Sequence, residues 1–289
     1  MKRFALIGGS GFVAPRHMKA IKETGNEIVA ILDPHDSIGI IDSYFPDASF
    51  FTEFERFDRH LEKLKRNGEG VDYVSICSPN YLHDAHCRLA LRIGSDAICE
   101  KPLVLNSRNL DQLKDIEKDT GRRIYTVLQL RLHKELIRLK KSLSEDNHTV
   151  DIRYITPRGV WYERSWKGDV TKSGGLATNI GIHLLDMVIW LFGKCENLSV
   201  ISNRSNYVSG IISLERAHVN FMLSTDKNLL PEGYKSLRSI KIDGEEITLD
   251  NTFTDLHTAI YQDILDGGGF GIEDARQAIE LAQQIRSRY

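Results

Sequence analysis

Residues 2–14 read KRFALIGGSGFVA and residues 27–33 read EIVAILD. The first is a short apolar run that breaks into glycines. The second is β-branched and apolar and ends on an acid. Between them Met18 and Ile21 recur at helical spacing, and Pro15 suits a first helical turn. Strand, helix and strand in this order make a β-α-β unit, which in one sheet requires a right-handed crossover and parallel strands.

The turn after the first strand has the pattern Gly9-x-Gly11-x-x-Ala14, with Phe12 and Val13 between. Small residues there let the backbone turn tightly and let a pyrophosphate approach a helix N-terminus, where free N–H groups and the helix dipole stabilise its charge. A glycine pattern alone is weak evidence, but here it stands between a strand and a helix, the context the motif requires. Asp33 ends the second strand, where a carboxylate accepts hydrogen bonds from ribose hydroxyls and repels a 2′-phosphate. Pro34, His35 and Asp36 follow, with no arginine. The expected cofactor is NAD rather than NADP.

Outward from this unit the alternation continues. Helices are expected over 56–66, 81–93 and 110–118, and strands over 71–77, 96–99 and 123–128. Such alternation predicts a doubly wound parallel sheet. After about residue 130 the rhythm changes. Residues 132–143 read as a helix and 150–156 as a strand, then 176–192 as a strongly apolar helix. Strand-like runs follow at 198–203, 207–214, 215–224, 237–242 and 246–249, with Asp243-Gly244 a hairpin turn. Helices at 256–265 and 273–286 close the chain. The predicted class is α/β: a Rossmann domain over 1–128, and an α+β domain over 129–289 whose open sheet is mostly antiparallel and which serves substrate binding and oligomerisation.

Composition bounds the function. The 289 residues are 41% hydrophobic with a formal net charge of −2, so nothing draws the whole chain to nucleic acid or an anionic membrane. The apolar run at the N-terminus is too short for a signal peptide, and 184–192 is shorter than the roughly 20 residues of a membrane span and carries Asp186. Cys77, Cys87, Cys99 and Cys195 form no C-x-x-C pair and read as free thiols of a reducing cytoplasm.

Three further segments bear chemistry. Ser78-Pro79-Asn80 follows a strand, where ligands of open α/β sheets collect, although Asn80 reads as well as a helix cap. Glu100-Lys101-Pro102 also ends a strand. An ammonium there can hydrogen-bond a substrate hydroxyl and favour the alkoxide that builds as hydride leaves, and Pro102 is a candidate for a cis bond. Taken alone, Lys101 reads more readily as a salt-bridged surface lysine. Asn179 and His183 lie four residues apart in an apolar helix, on one face, with Asp186 close by. A histidine titrating near neutrality accepts a hydroxyl proton readily, but His183 alone reads more readily as a buried core residue. His83, His86 and Cys87 have helical spacing without a further ligand, so no metal is expected; His83 borders the cofactor crevice or caps local backbone.

Together the E-K-P loop and GGLATNIGIHLLD at 174–186 resemble the glucose–fructose oxidoreductase, inositol dehydrogenase and rhizopine-catabolism (Gfo/Idh/MocA) family. That family joins a Rossmann domain to an open antiparallel sheet domain. The resemblance implies Lys101 and His183 as the catalytic pair, meeting beside the nicotinamide. Asn179 stands where the family motif has Asp. An amide cannot take a proton, so Asn179 is expected to orient substrate or His183.

A narrower resemblance, to bacterial UDP-N-acetylglucosaminuronate 3-dehydrogenases of the WlbA/WbpB type, rests on SICSPNYLHDAH, ICEKPLVLNSRNLD, YTVLQLRLH, WKGD, KSGGLATNIGIHLLDM, FTDLHT and GFGIEDAR. It implies oxidation of a UDP-sugar at C3 for surface-polysaccharide (O-antigen) synthesis, an aminotransferase downstream, and NAD regenerated by 2-oxoglutarate. The residues expected at the cofactor are Gly9, Gly11, Phe12, Val13, Asp33, Ser78, Pro79, Asn80, His83, Glu100, Lys101 and Gln129. A UDP-uronate carries a pyrophosphate and a carboxylate, for which Arg131, Arg158, Lys167 and Lys172 are candidates. Tyr154, Tyr162 and Trp166 are candidates to pack on the sugar or uracil. A homo-oligomer, as a tetramer, would cover the second domain's sheet. Two other readings stay open: a family dehydrogenase of an inositol or aldose, and a non-catalytic NAD-binding regulator.

Overall fold

The computed structural model describes residues 1–36, 39–249 and 256–288. The chain divides into two compact units. The first comprises Met1–Val104, Arg108–Leu132 and a late return through Asp274 that includes the helix Leu256–Leu265; the second takes Leu105–Ser107, the middle of the chain and the C-terminal stretch from Ala275. A linear reading that divides the chain once, at 128/129, has no means of showing that return.

The first unit is built on six parallel strands, β1 (Arg3–Ile7), β2 (Glu27–Leu32), β3 (Ser49–Phe51), β4 (Tyr73–Ile76), β5 (Asp96–Cys99) and β6 (Ile124–Thr126), in the order β3-β2-β1-β4-β5-β6. The short β3 and the helix Ile40–Tyr44 escape the periodicity reading because each is too brief for a period to show. β1 lies between β2 and β4, so the strand order reverses there. That is the switch point where open α/β sheets bind ligands. The core beneath joins Phe4 and Leu6 of β1 to Met18 and Ile21, and to Ile260, Tyr261 and Ile264 of the returning helix.

The second unit carries β7 (His148–Ile155), β8 (Cys195–Arg204), β9 (Tyr207–Leu214), β10 (Ala217–Ser224), β11 (Leu237–Ile242) and β12 (Glu245–Glu246) in the order β12-β11-β7-β10-β9-β8. Its pairings are antiparallel except β7 with β10. Along β7 and β10 burial alternates, so Val150, Ile152, Val219 and Phe221 face inward, as a half-covered sheet requires. Asp243 (φ 52°) and Gly244 (φ 87°) make the hairpin turn between β11 and β12. The apolar helical stretch Val170–Phe192 is long and apolar enough to cross a membrane, yet 78% of its most apolar part is buried inside the protein. Its apolar surface is explained by that core position.

Candidate functional site

The glycine turn is shaped by β4. Gly8 has φ +90°, and a Cβ there would lie 2.7 Å from the backbone of Cys77 and 2.8 Å from Ser78 N; at Gly9 it would lie 2.5 Å from Ile31 Cγ2. The loop thus closes onto the end of the neighbouring strand only without side chains. Phe12 projects outward, 85% exposed. Asp33 is buried, and its two oxygens accept from Ser10 N and His35 N, each at 2.9 Å. Each oxygen keeps a second lone pair for a ribose hydroxyl. Buried Gln129 has an Oε1 with no hydrogen-bond partner. A cradle that side chains would fill, a fixed carboxylate and an unmatched buried amide oxygen fit a dinucleotide.

The two other loops of this unit are tied together by His83. Its Nδ1 lies 2.6 Å from Pro102 O and its Nε2 2.8 Å from Ser78 O. Burial holds its pKa below the ordinary value against the pull of the two carbonyls, so at neutral pH one nitrogen donates. Ser78 Oγ donates to His86 Nδ1 at 2.8 Å. Burial, with His83 nearby, pulls His86 down to about 4, which keeps that nitrogen an acceptor. Both histidines therefore hold the loops in place. Asn80 is buried, Pro79 partly so, and the Lys101–Pro102 bond is cis.

Glu100 is 7% exposed and accepts from His17 Nε2 and His257 Nε2, both 3.0 Å from its Oε1. Burial pushes the carboxyl up, but the bonds from His17 and His257 outweigh it and hold it well below the usual carboxylate range. Glu100 is an expected cofactor residue, and in the structure its carboxylate anchors the protein interior. His17, Tyr261 and His257 gave no sequence signal, because they come from helices far apart in the chain and match no local spacing. Arg131, a candidate for substrate, is 9% exposed and bonds Asp274 through Nη1 to Oδ1 (3.0 Å) and Nη2 to the carbonyl (2.7 Å), lying over Phe270. Its guanidinium is engaged within the first unit.

In the second unit the expected regular helix contains a π-turn over Ala177–Gly181, followed by the α-helix Ile182–Phe192. Asn179 sits in the wider turn and His183 just beyond it, both half-buried. Such turns recur at functional sites. Asn179 Nδ2 donates to Tyr162 Oη at 2.7 Å. Lys167 Nζ stands 5.1 Å from the Trp161 ring centre and 5.6 Å from that of Trp166. Burial, then the Arg158 charge, lowers the Lys167 pKa. Arg158 also acts on the Tyr162 hydroxyl, though burial there dominates and raises it. The structure thus groups Arg158, Tyr162, Trp166, Lys167 and Asn179. Lys172 is exposed and lies 3.7 Å from Asp169, which caps its short helix. Tyr154 lies under Arg238 on the sheet.

Two family models match. One, described as an oxidoreductase family with NAD-binding Rossmann fold, covers residues 2–128; the other, that family's C-terminal alpha/beta domain, covers 146–207. The WlbA (WbpB) dehydrogenase of Thermus thermophilus, solved with NAD and alpha-ketoglutarate, is 49% identical over 99% of this chain and 95% of its own, with a TM-score of 0.97. The same enzyme with NAD and UDP-GlcNAcA gives 0.96. Among curated proteins, the scyllo-inositol 2-dehydrogenase (NADP(+)) IolW of Bacillus subtilis is 24% identical over 168 residues, 56% of this chain and 44% of its own. The chain spans about half the length of the first curated relatives it matches. Of the motifs that carried the narrower resemblance, FTDLHT falls partly outside the described residues, at 253–255. With both family models matched and near-complete coverage of a relative at 49% identity, the chain belongs to the Gfo/Idh/MocA oxidoreductase family, and residues 2–128 are that family's NAD-binding Rossmann fold.

Proposed function

We propose that the protein oxidises the C3 hydroxyl of UDP-N-acetyl-2-amino-2-deoxy-D-glucuronate to the 3-keto sugar. The observation that carries this is the 49% identity, across 95% of its length, to a dehydrogenase crystallised with NAD and UDP-GlcNAcA. NAD, when bound, supplies the hydride acceptor. Gly9, Gly11, Phe12, Val13, Asp33, Ser78, Pro79, Asn80, His83 and Gln129 form its binding surface in this reading. Lys101 hydrogen-bonds the reacting hydroxyl and stabilises the alkoxide, and His183 accepts the proton. Asn179, held by Tyr162, orients and does not titrate. Arg158 and Lys167 meet the anionic groups of substrate, and Trp166 offers a ring face. The Lys167 ammonium, partly desolvated between two indoles, interacts more strongly with an anion than a solvated lysine would.

The reading extends to 2-oxoglutarate, which regenerates NAD by taking up hydride and a proton at its keto group; the relative's complex with alpha-ketoglutarate supports it. It places the protein in the cytoplasm, in O-antigen synthesis, upstream of an aminotransferase that consumes the ketone. Residues 129–289 serve substrate binding and assembly into a homotetramer, which light scattering at micromolar concentration tests.

The deciding experiment is turnover with NAD and 2-oxoglutarate on UDP-GlcNAcA, UDP-GlcNAc, myo-inositol and glucose. Activity on the UDP-uronate alone is expected; activity on the free polyol or aldose with none on the UDP-uronate would overturn the substrate. Lys101→Ala should lower kcat at least about 100-fold with little change in NAD affinity.

A further inference from the structure

We infer that Glu100, clamped by His17 and His257, is the positioning group for Lys101. The inference rests on the catalytic reading of Lys101 above. Its observations lie wholly inside the first unit. Ser75 Oγ lies 2.6 Å from Tyr261 Oη, Tyr261 Oη 2.8 Å from His17 Nδ1, and His17 Nε2 3.0 Å from Glu100 Oε1. His257 Nε2 reaches the same oxygen at 3.0 Å, and Lys101 N donates to Oε2 at 3.2 Å. These six residues come from β4, the helix after the glycine turn, the end of β5 and the returning helix Leu256–Leu265.

Proton positions follow from the partners. An ionised Glu100 only accepts, so both Nε2 atoms and the Lys101 amide donate to it. His17 Nδ1 then accepts from the Tyr261 hydroxyl, whose oxygen accepts from Ser75. Burial lowers the His17 pKa despite Glu100, which agrees with a neutral ring in this tautomer. The chain of donors runs one way and ends on the carboxylate. Ser75, His17, His257 and Tyr261 are 0–1% exposed, so each bond forms without competition from water. Buried ionised carboxylates are retained only when so satisfied. The one group left over is His257 Nδ1, which has no hydrogen-bond partner.

Glu100 is joined to Lys101 by a peptide bond, so clamping its side chain fixes the backbone from which the ammonium projects. Misplacement by about 1 Å can cost a hundredfold in rate. Glutamine has the same shape but the wrong donors. With its NH2 toward the Lys101 amide it meets a fixed donor, and with its NH2 toward the imidazoles it requires the His17 and His257 tautomers to change.

The same three side chains are the group among the described residues whose ligand atoms lie close enough to hold a metal ion. Separations of 3.0 Å are those of N–H···O bonds, and the hydrogen-bond assignment satisfies every atom but one.

The test is a cycle of Glu100→Gln, Lys101→Ala and the double variant, with His257→Asn as a milder second probe. Glu100→Gln is expected to lower kcat 10–100-fold, with KM and NAD affinity within about twofold, and to remove nothing further once Lys101 is alanine. His257→Asn should show the same pattern at 3–10-fold. Equal losses with and without Lys101, or full turnover in both Glu100→Gln and His257→Asn, would overturn the inference while a slowed Lys101→Ala still upheld the catalytic reading. Lys101→Ala at full turnover would overturn both. A stoichiometric transition metal that chelation removes together with activity would replace the anchor with a metal site.

Discussion

At the scale of single residues, backbone space decides more than side-chain chemistry. Gly8 combines φ +90° with strand backbone 2.7 Å from any Cβ, and backbone cannot rotate away as a side chain can. Gly8→Ala is therefore expected to destabilise the first unit by roughly 2–4 kcal/mol and to weaken NAD binding, read by urea unfolding and by calorimetric titration. Gly25, whose φ is also positive (+73°) but which has nothing within 4 Å, should lose only about 1 kcal/mol as alanine. The glycine pattern was legible in the sequence because it needs only local spacing. The crowding at Gly8 was not, since it comes from Cys77 and Ser78, some seventy residues away.

At the scale of elements, the helix bearing Asn179 and His183 shows how packing modifies a periodic segment. A Cβ on Gly181 would meet Leu223 Cδ1 of β10 at 2.5 Å, so helix and sheet touch where the π-turn ends. Gly181→Ala should cost about 1–2 kcal/mol. Because a leucine tip can be removed, Gly181→Ala with Leu223→Ala should cost at least about 0.5 kcal/mol less than the sum of the two; chemical denaturation of the four proteins checks this. The helix itself was legible from its apolar run. The π-turn was not, because no residue type specifies it and the preference arises from what the helix packs against.

For the whole molecule, buried histidines set the response to acid. His17, His83 and His86 each have folded pKa values below 6.5, chiefly through burial, with His86 at about 4. The unfolded chain then binds more protons below pH 6.5, so stability falls as pH drops from 6.5 toward 4. His86 alone should account for about 2 kcal/mol at pH 5. His148 acts oppositely: its bond to Asp243 raises its pKa, so its contribution is full below pH 6.5 and is lost as pH rises through the folded value. Glu100, whose pKa is depressed, contributes above about 4.5 and loses that contribution as pH falls below it. Burial also lowers His60, so with four histidines opposing one the urea midpoint should drop between pH 7 and pH 5, and His86→Asn should flatten that drop.

The sequence by itself determined the β-α-β start, the glycine turn, Asp33, the change from a parallel to a mostly antiparallel sheet, and the motifs of the family. All of these are written in residues a few positions apart, where strand and helix periods and turn chemistry act. Only the tertiary structure decided that Glu100 faces His17 and His257, that Arg131 pairs with Asp274, and that helix Leu256–Leu265 belongs with the first unit. Those pairings depend on which distant segments share a core, and burial makes them strong only after the chain has folded.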